Sequence, residues 1–155
     1  MIKVAVVGRR KSGKTTLIEM ISKRLSERFR IFALKRAGEL DLDVEGKDTW
    51  RIYNSGSAGV LAVSPSETFL RIREVLSLRD ALNLVEKLVR PDLVLIEGFK
   101  REVGEMKDII RIIIARSREE LEDLVSIVGR ADLVIGEEEL ERGVEFVEEL
   151  LEAKP

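Results

Sequence analysis

The stretch Gly8-Arg9-Arg10-Lys11-Ser12-Gly13-Lys14-Thr15 limits what this chain can fold into more than any other. It fits the phosphate-cradling pattern G-x-x-x-x-G-K-[ST] at every fixed position. Residue frequencies alone would produce such a match in a chain this long roughly once in two hundred cases. The flanks narrow the reading. Ile2 to Val7 is a short, apolar, β-branched run suited to a buried strand. Thr16 to Ile21, continued by Leu25, sets its apolar positions on one helix face. Strand, glycine loop and helix are the context in which this pattern is a P-loop.

Each fixed residue has a chemical reason. Gly8 and Gly13 let the backbone turn tightly and bring the N–H groups of the loop, Arg9 to Ser12, against phosphate oxygens. The helix beginning near Lys14, Thr15 and Thr16 adds its unpaired N–H groups and positive dipole end. Lys14 is a point charge for the β and γ phosphates, and the Thr15 hydroxyl is a magnesium ligand. The expected ligand is a nucleoside triphosphate with Mg²⁺.

Composition removes several alternatives. At 155 residues the chain suits one nucleotide-binding domain, residues 1–155, with its own core. A hydrophobic share of 45% beside 36% charged residues is that of a soluble protein with a heavily charged surface. No apolar run reaches membrane-spanning length. The opening apolar run is too short for a signal peptide and leads directly into the glycine loop, so a cytoplasmic location is expected. A net charge of -2 gives no reason to expect a nucleic-acid partner. Without cysteine there are no disulfides or thiolate metal sites. Histidine and glutamine are absent too, and Asn54 and Asn83 are the only asparagines. With abundant Glu, Lys and Arg, that is a thermophile's composition.

Beyond the first helix, expected from Lys14 to about Arg28, a second strand at Arg30 to Leu34 delivers Lys35-Arg36 at its carboxyl end. An acidic loop from Ala37 to Gly46 precedes a short helix carrying Trp50, Arg51 and Tyr53. Gly59 to Ser64 and Thr68 to Glu74, joined through Pro65, predict an antiparallel hairpin. Ser77 begins a helix that ends at Pro91. Leu93 to Ile96 and Ile109 to Ala115 are strands covered on both faces. Ser117 is expected to cap a short helix through Leu124, followed by strands at Val125 to Val128 and Leu133 to Ile135, then a helix over Glu137 to Glu152. The fold class is therefore α/β: a three-layer P-loop NTPase with a mainly parallel central sheet plus an antiparallel hairpin. Gly8, Lys35, Glu97 and Arg116 each follow an expected strand, which sets all four on one rim.

Glu97, an acid directly after an apolar strand, is the expected partner of magnesium, and Gly98 lets a backbone N–H approach the γ-phosphate. Asp48 is either a metal-site carboxylate or a solvated loop aspartate. Lys35-Arg36 either neutralises phosphate or decorates a strand end. Arg9-Arg10-Lys11 adds positive field, contacts a partner or is solvated. Lys14, Asp48 and Glu97 form the candidate catalytic set, and Thr15, Asp48 and Glu97 the metal set. Trp50, Tyr53, Phe69 and Phe99 are expected to pack rather than stack on a base. Hydrolysis needs a group that orients the attacking water, often a glutamine, so turnover is expected to be slow.

With these motifs placed, the chain resembles the molybdopterin-guanine dinucleotide biosynthesis adapter protein (MobB) family. The resemblance rests on Gly8 to Thr16, on Gly46-Lys47-Asp48-Thr49 with Gly56 downstream, and on Asp92-Leu93-Val94-Leu95-Ile96-Glu97-Gly98-Phe99-Lys100. It implies a GTP-binding homodimer that assists the molybdopterin guanylyltransferase and molybdoenzyme maturation proteins, with weak GTP hydrolysis. It assigns phosphate binding to Gly13, Lys14, Thr15 and Thr16, and places Thr15, Asp48 and Glu97 around Mg²⁺. Family members often follow the second strand with Lys-His and a further histidine, where this chain has Lys35-Arg36-Ala37-Gly38. No Asn-Lys-x-Asp motif marks a guanine pocket, which leaves Asp132 and Arg116 as the candidates. The competing reading is a small-molecule kinase or ligase, which needs lid arginines; Arg71, Arg73 and Arg79 resemble such a cluster, but their strand and helix placement puts them at the surface. A metal-insertion GTPase would lack soft ligands. The apolar hairpin around Val60 to Ile72 is the expected dimer surface.

Overall fold

Apolar residues on both faces of each central strand determine how the layers assemble. The computed structural model describes residues 1–153. Along the chain it has β1 (Ile2–Gly8), α1 (Lys14–Leu25), β2 (Ile31–Lys35), α2 (Asp48–Asn54), β3 (Gly59–Val63), β4 (Thr68–Ile72) and α3 (Leu78–Leu88). Then follow β5 (Leu93–Glu97), α4 (Lys100–Glu105), β6 (Ile110–Ile114), α5 (Arg118–Val128), β7 (Leu133–Ile135) and α6 (Leu140–Glu152). Two compact units result: Met1–Arg36 with the chain from Ser77 onward, and Ala37–Leu76, inserted in sequence between β2 and α3.

The first unit holds a five-stranded sheet in the order β2-β5-β1-β6-β7, parallel throughout. Val4 and Val6 of β1 face the same side as Leu95 and Ile112, against Leu17 and Ile21 of α1 and Val144 and Val147 of α6. Ala5, Val7, Ile96 and Ile113 face the other side, against Leu82 of α3, Val103 of α4 and Leu124 of α5. Strands covered on both faces must be apolar throughout, as these are. Arg24 of α1 and Arg28, in the turn after it, both pair with Glu148 of α6, with Glu141 and Glu152 alongside. No helix among the described residues is long and apolar enough to cross a membrane.

In the second unit β3 and β4 pair antiparallel, with Leu61 opposite Leu70, as the hairpin pattern predicts. Asp43 takes the Arg71 guanidinium at 3.1 Å and the Thr49 hydroxyl at 2.9 Å. Tyr53 lies between Arg71 and Arg73, whose guanidinium carbons are 3.7 and 4.1 Å from the ring centroid. None of the side chains of this unit is fully buried.

Four elements differ from expectation, one of them α6, which starts at Leu140 and leaves Glu137 to Glu139 in the connection before it. Helix α1 stops at Leu25, where the chain turns through Arg28 and Phe29 N–H groups bonded to the Leu25 carbonyl. Val125 to Val128 is not a strand but the end of α5, which Gly129 terminates with its N–H on the Val125 carbonyl at 2.8 Å. Leu124 and Val128 sit one helical turn apart and are buried, so packing overrides the β-branched composition. Helix α4, with Val103 as its buried residue, was not anticipated at all.

Candidate functional site

Where β1 ends, the backbone leaves the sheet, folds back on itself and enters α1. A Cβ on Gly8 would lie 2.3 Å from Ser12 Oγ and 3.0 Å from the Ile114 carbonyl, so glycine alone permits this fold-back. Gly13 precedes α1 with φ 92°, and no side chain caps the helix. The first-turn N–H groups of α1 therefore face the loop without a side-chain acceptor, an arrangement suited to an anion. Ser12 is buried beneath the loop.

A cavity of about 460 Å³ opens over this turn, lined by Arg10 to Thr16 and by Glu97. Glu97 reaches it because β5 lies beside β1 and ends on the same rim; Lys35 and Val6 are its neighbours in register. The Thr15 hydroxyl donates to Glu97 Oε2 at 3.1 Å, and Lys35 Nζ lies 3.5 Å from Glu97 Oε1. Lys14 Nζ donates to the Arg9 carbonyl at 2.6 Å. Partial burial holds the Lys14 ammonium below the ordinary lysine range; Glu97 opposes that, and Lys100, Lys35 and Arg116 reinforce it. Three further cations, Lys35, Lys100 and Arg116, thus act on Lys14, and Glu97 is the acid that offsets them.

The remaining expected residues differ in where they lie and what holds them. Arg9 pairs with Asp123 at 2.9 Å, while Arg10 and Lys11 are exposed. Arg116, on the shared rim, donates to the Lys11 carbonyl at 2.9 Å and pairs with Glu137. Gly98 lies against Arg36, whose guanidinium covers the Phe99 ring at 4.4 Å and pairs with Glu102 at 2.8 Å. Phe99 is a packing residue, as expected, and Arg36 is engaged away from the cavity. Asp48 belongs to the second unit, on the first turn of α2, where its side chain is 94% exposed and 3.9 Å from Arg51. Lys100, which the sequence placed beside Gly98 and Phe99 without a role, adds its charge to the field at Lys14.

Asp132 does not belong to this rim. It precedes β7, its N–H bonds the Arg111 carbonyl at 2.9 Å, and its carboxylate accepts the Arg111 N–H at 2.8 Å. Arg111 pairs with Ala5, whereas Gly8 pairs with Ile114, so Asp132 lies toward the amino ends of the strands. A base pocket next to the glycine loop cannot use it. Arg73, expected at the surface, donates to the Ser57 and Tyr53 carbonyls of its own unit.

A family model described as molybdopterin guanine dinucleotide synthesis protein B (MobB) matches residues 3–130. The chain belongs to the MobB family. It is 30% identical over 122 residues to a putative molybdopterin-guanine dinucleotide biosynthesis adapter protein of Methanocaldococcus jannaschii, covering 75% of this chain and 48% of that one. With the adapter protein of Haemophilus influenzae the identity is 33% over 103 residues, covering 64% and 57%. The chain thus spans about half the length of these curated relatives. A crystal structure of molybdopterin-guanine biosynthesis protein B superimposes with a TM-score of 0.65 at 32% identity, over 97% of this chain and 99% of that one. The MobB fold, a parallel sheet with a separate antiparallel hairpin, is therefore the fold of this chain.

Proposed function

We propose that this MobB-family chain binds GTP with Mg²⁺ on the Gly8–Thr15 loop and serves as an adapter in molybdopterin guanine dinucleotide biosynthesis. In this reading it assists the guanylyltransferase and molybdoenzyme maturation proteins, and hydrolyses GTP weakly at most. The observation that carries the nucleotide assignment is the Thr15 hydroxyl bonded to Glu97 at the mouth of the loop cavity. Hydroxyl and carboxylate oxygens suit Mg²⁺, which takes few protein ligands and completes its shell with phosphates and water. Among the described residues no group of three or more His, Cys, Asp or Glu side chains converges to hold a metal. Thr15 and Glu97 would hold the ion, which when bound neutralises charge on the β and γ phosphates. Lys14 orients the phosphates, and the uncapped first turn of α1 receives their oxygens. Glu97 is already engaged by Thr15 and Lys35, which supports slow hydrolysis.

Calorimetric titration with GTP and ATP, with and without Mg²⁺, tests this reading. GTP is expected to bind more tightly than ATP and to require Mg²⁺ for full affinity, with turnover below roughly one per second. Tighter ATP binding would overturn the guanine assignment, and turnover at ordinary enzyme rates would overturn the adapter reading.

A second copy of the chain is the partner that the β3–β4 face supports. Leu61, Val63, Leu70 and Ile72 alternate onto one face of this two-stranded sheet and are exposed, Leu61 by 62% and Val63 by 73%. A two-stranded sheet is marginal alone, and an uncharged apolar face complements itself better than it complements a charged partner. Leu61→Asp with Leu70→Asp is expected to convert a dimer to a monomer in analytical ultracentrifugation. A wild-type monomer, or an unchanged dimer in the double variant, would refute that interface.

A further inference from the structure

We infer that the cavity between the β6–α5 and β7–α6 connections is a nucleobase subsite in which the Glu138 carboxylate selects guanine. This rests on the phosphate reading of the Gly8–Thr15 loop and extends it to the other end of the nucleotide. The cavity, about 380 Å³, has one wall made by Ala115 to Arg118 with Leu121, and another made by Val134 to Gly136 with Glu138 and Glu139. Two contacts join it to the phosphate loop. Arg116 bridges from the Lys11 carbonyl to Glu137 in the opposite connection. Leu140, at the start of α6, reaches within 3.4 Å of the position a Gly13 Cβ would take. A nucleotide held by its phosphates at α1 therefore has this cavity beside it on the β6 and β7 side of the rim.

The chemistry of the β7–α6 connection distinguishes one of its acids. Glu137 is held by Arg116. Glu139 accepts the Gly136 N–H at 2.8 Å and the Arg142 guanidinium at 2.5 Å. Glu138 has neither kind of partner: among the described residues no donor reaches its carboxylate, which lies over Gly136 with Oε1 2.6 Å from the position of an added Cβ. Ala115, Leu121, Val134 and Ile135 supply apolar contact for a ring. An ionised carboxylate accepts two adjacent N–H donors. Guanine offers that pair, N1–H and the 2-amino group. Adenine sets the N1 lone pair beside its amino group, and uracil sets a carbonyl on each side of N3–H. Guanine alone among these satisfies both carboxylate oxygens.

Xanthine separates this proposal from a general preference for purines, because it keeps N1–H but replaces the 2-amino group by a carbonyl. Calorimetry on the full chain with Mg²⁺ would compare GTP, xanthosine triphosphate, ATP and inorganic tripolyphosphate. The unmodified protein is expected to prefer GTP to xanthosine triphosphate. Glu138→Gln is expected to weaken GTP by about tenfold or more and to strengthen xanthosine triphosphate, since an amide donates to the new carbonyl while still accepting from N1–H. ATP and tripolyphosphate should be unchanged. Gly136→Ala, which pushes the carboxylate aside without removing it, should reduce the GTP preference without creating one for xanthosine triphosphate. If tripolyphosphate and GTP bind but Glu138→Gln alters no base preference, the base assignment falls and the loop reading stands. If neither tripolyphosphate nor any nucleotide binds the unmodified protein, both fall.

Discussion

Replacing Lys14 by alanine is expected to weaken binding of Mg²⁺–GTP by about a hundredfold or more, with little change in the stability of the ligand-free fold. Two unit charges about 4 Å apart attract by ~4 kcal/mol at an effective dielectric of 20, and neighbouring cations recover only part of that loss. Lys35, Lys100 and Arg116 are those neighbours, and none sits in the loop's own turn. In the ligand-free protein Lys14 makes one bond, to the Arg9 carbonyl, so its loss should cost the fold about 0.5 kcal/mol or less. The pH dependence follows from the same geometry. Burial holds the free ammonium below the ordinary value of 10.5, and a bound triphosphate would raise it. The charged form binds, so affinity should hold through neutral pH and fall as pH climbs through the free-state value. Lys14→Arg should move that decline upward. Calorimetry over a pH series, with thermal unfolding of the free variants, measures all of this. Unchanged affinity in Lys14→Ala would remove the loop from nucleotide binding.

The parts of the site written locally were legible in the sequence. Glycine spacing and a β-branched run before it predict β1, the loop and α1, because backbone conformation and burial act within a few residues there. Glu97 was legible because an acid after an apolar run must sit at a strand end. Its bond to Thr15, 82 positions away, depends on β5 lying beside β1, which only the rule for ligands at parallel-sheet rims anticipates. Pattern reasoning failed where tertiary packing decided. Val125-Ser126-Ile127-Val128 has strand-like composition, yet burial of Leu124 and Val128 against the sheet holds it in α5. Asp132 seemed placed for a base pocket only while a strand was expected before it. As the residue preceding β7, it belongs to the other end of the sheet. Glu138 lay within an acidic run that fits a solvated helix face, and nothing in the sequence separates it from Glu137 and Glu139. Their partners do.

Arg111 is a residue whose replacement should cost the fold heavily, and a charged side chain inside an apolar strand gave no sign of where its charge would go. It is 2% exposed, between Ile110 and Ile112 in β6. Its guanidinium donates to the Val103, Met106 and Ile109 carbonyls at 2.6, 2.8 and 2.7 Å. Val103 and Met106 end α4, so Arg111 supplies donors that the last turn of that helix lacks. Burial pulls its pKa below the ordinary arginine value, and Arg130 adds to that, while Asp132 and Asp108 oppose it from a distance. Arg111→Met keeps most of the volume and removes the buried charge, but leaves the Met106 carbonyl without its donor and the Val103 and Ile109 carbonyls with only the longer bonds from the Met106 N–H at 3.3 Å and Arg130 at 3.4 Å. Charge-assisted bonds are each worth about 1.5–3 kcal/mol, and relief of the desolvated charge returns part of that. The expected net loss is roughly 2–4 kcal/mol, a fall in Tm of about 5–15 °C for a chain this size. Hydrogen exchange should show the loss concentrated in α4, whose amides would exchange faster even where the rest of the sheet stays protected. A variant as stable as the parent would mean that desolvation of this guanidinium outweighs all three of its hydrogen bonds.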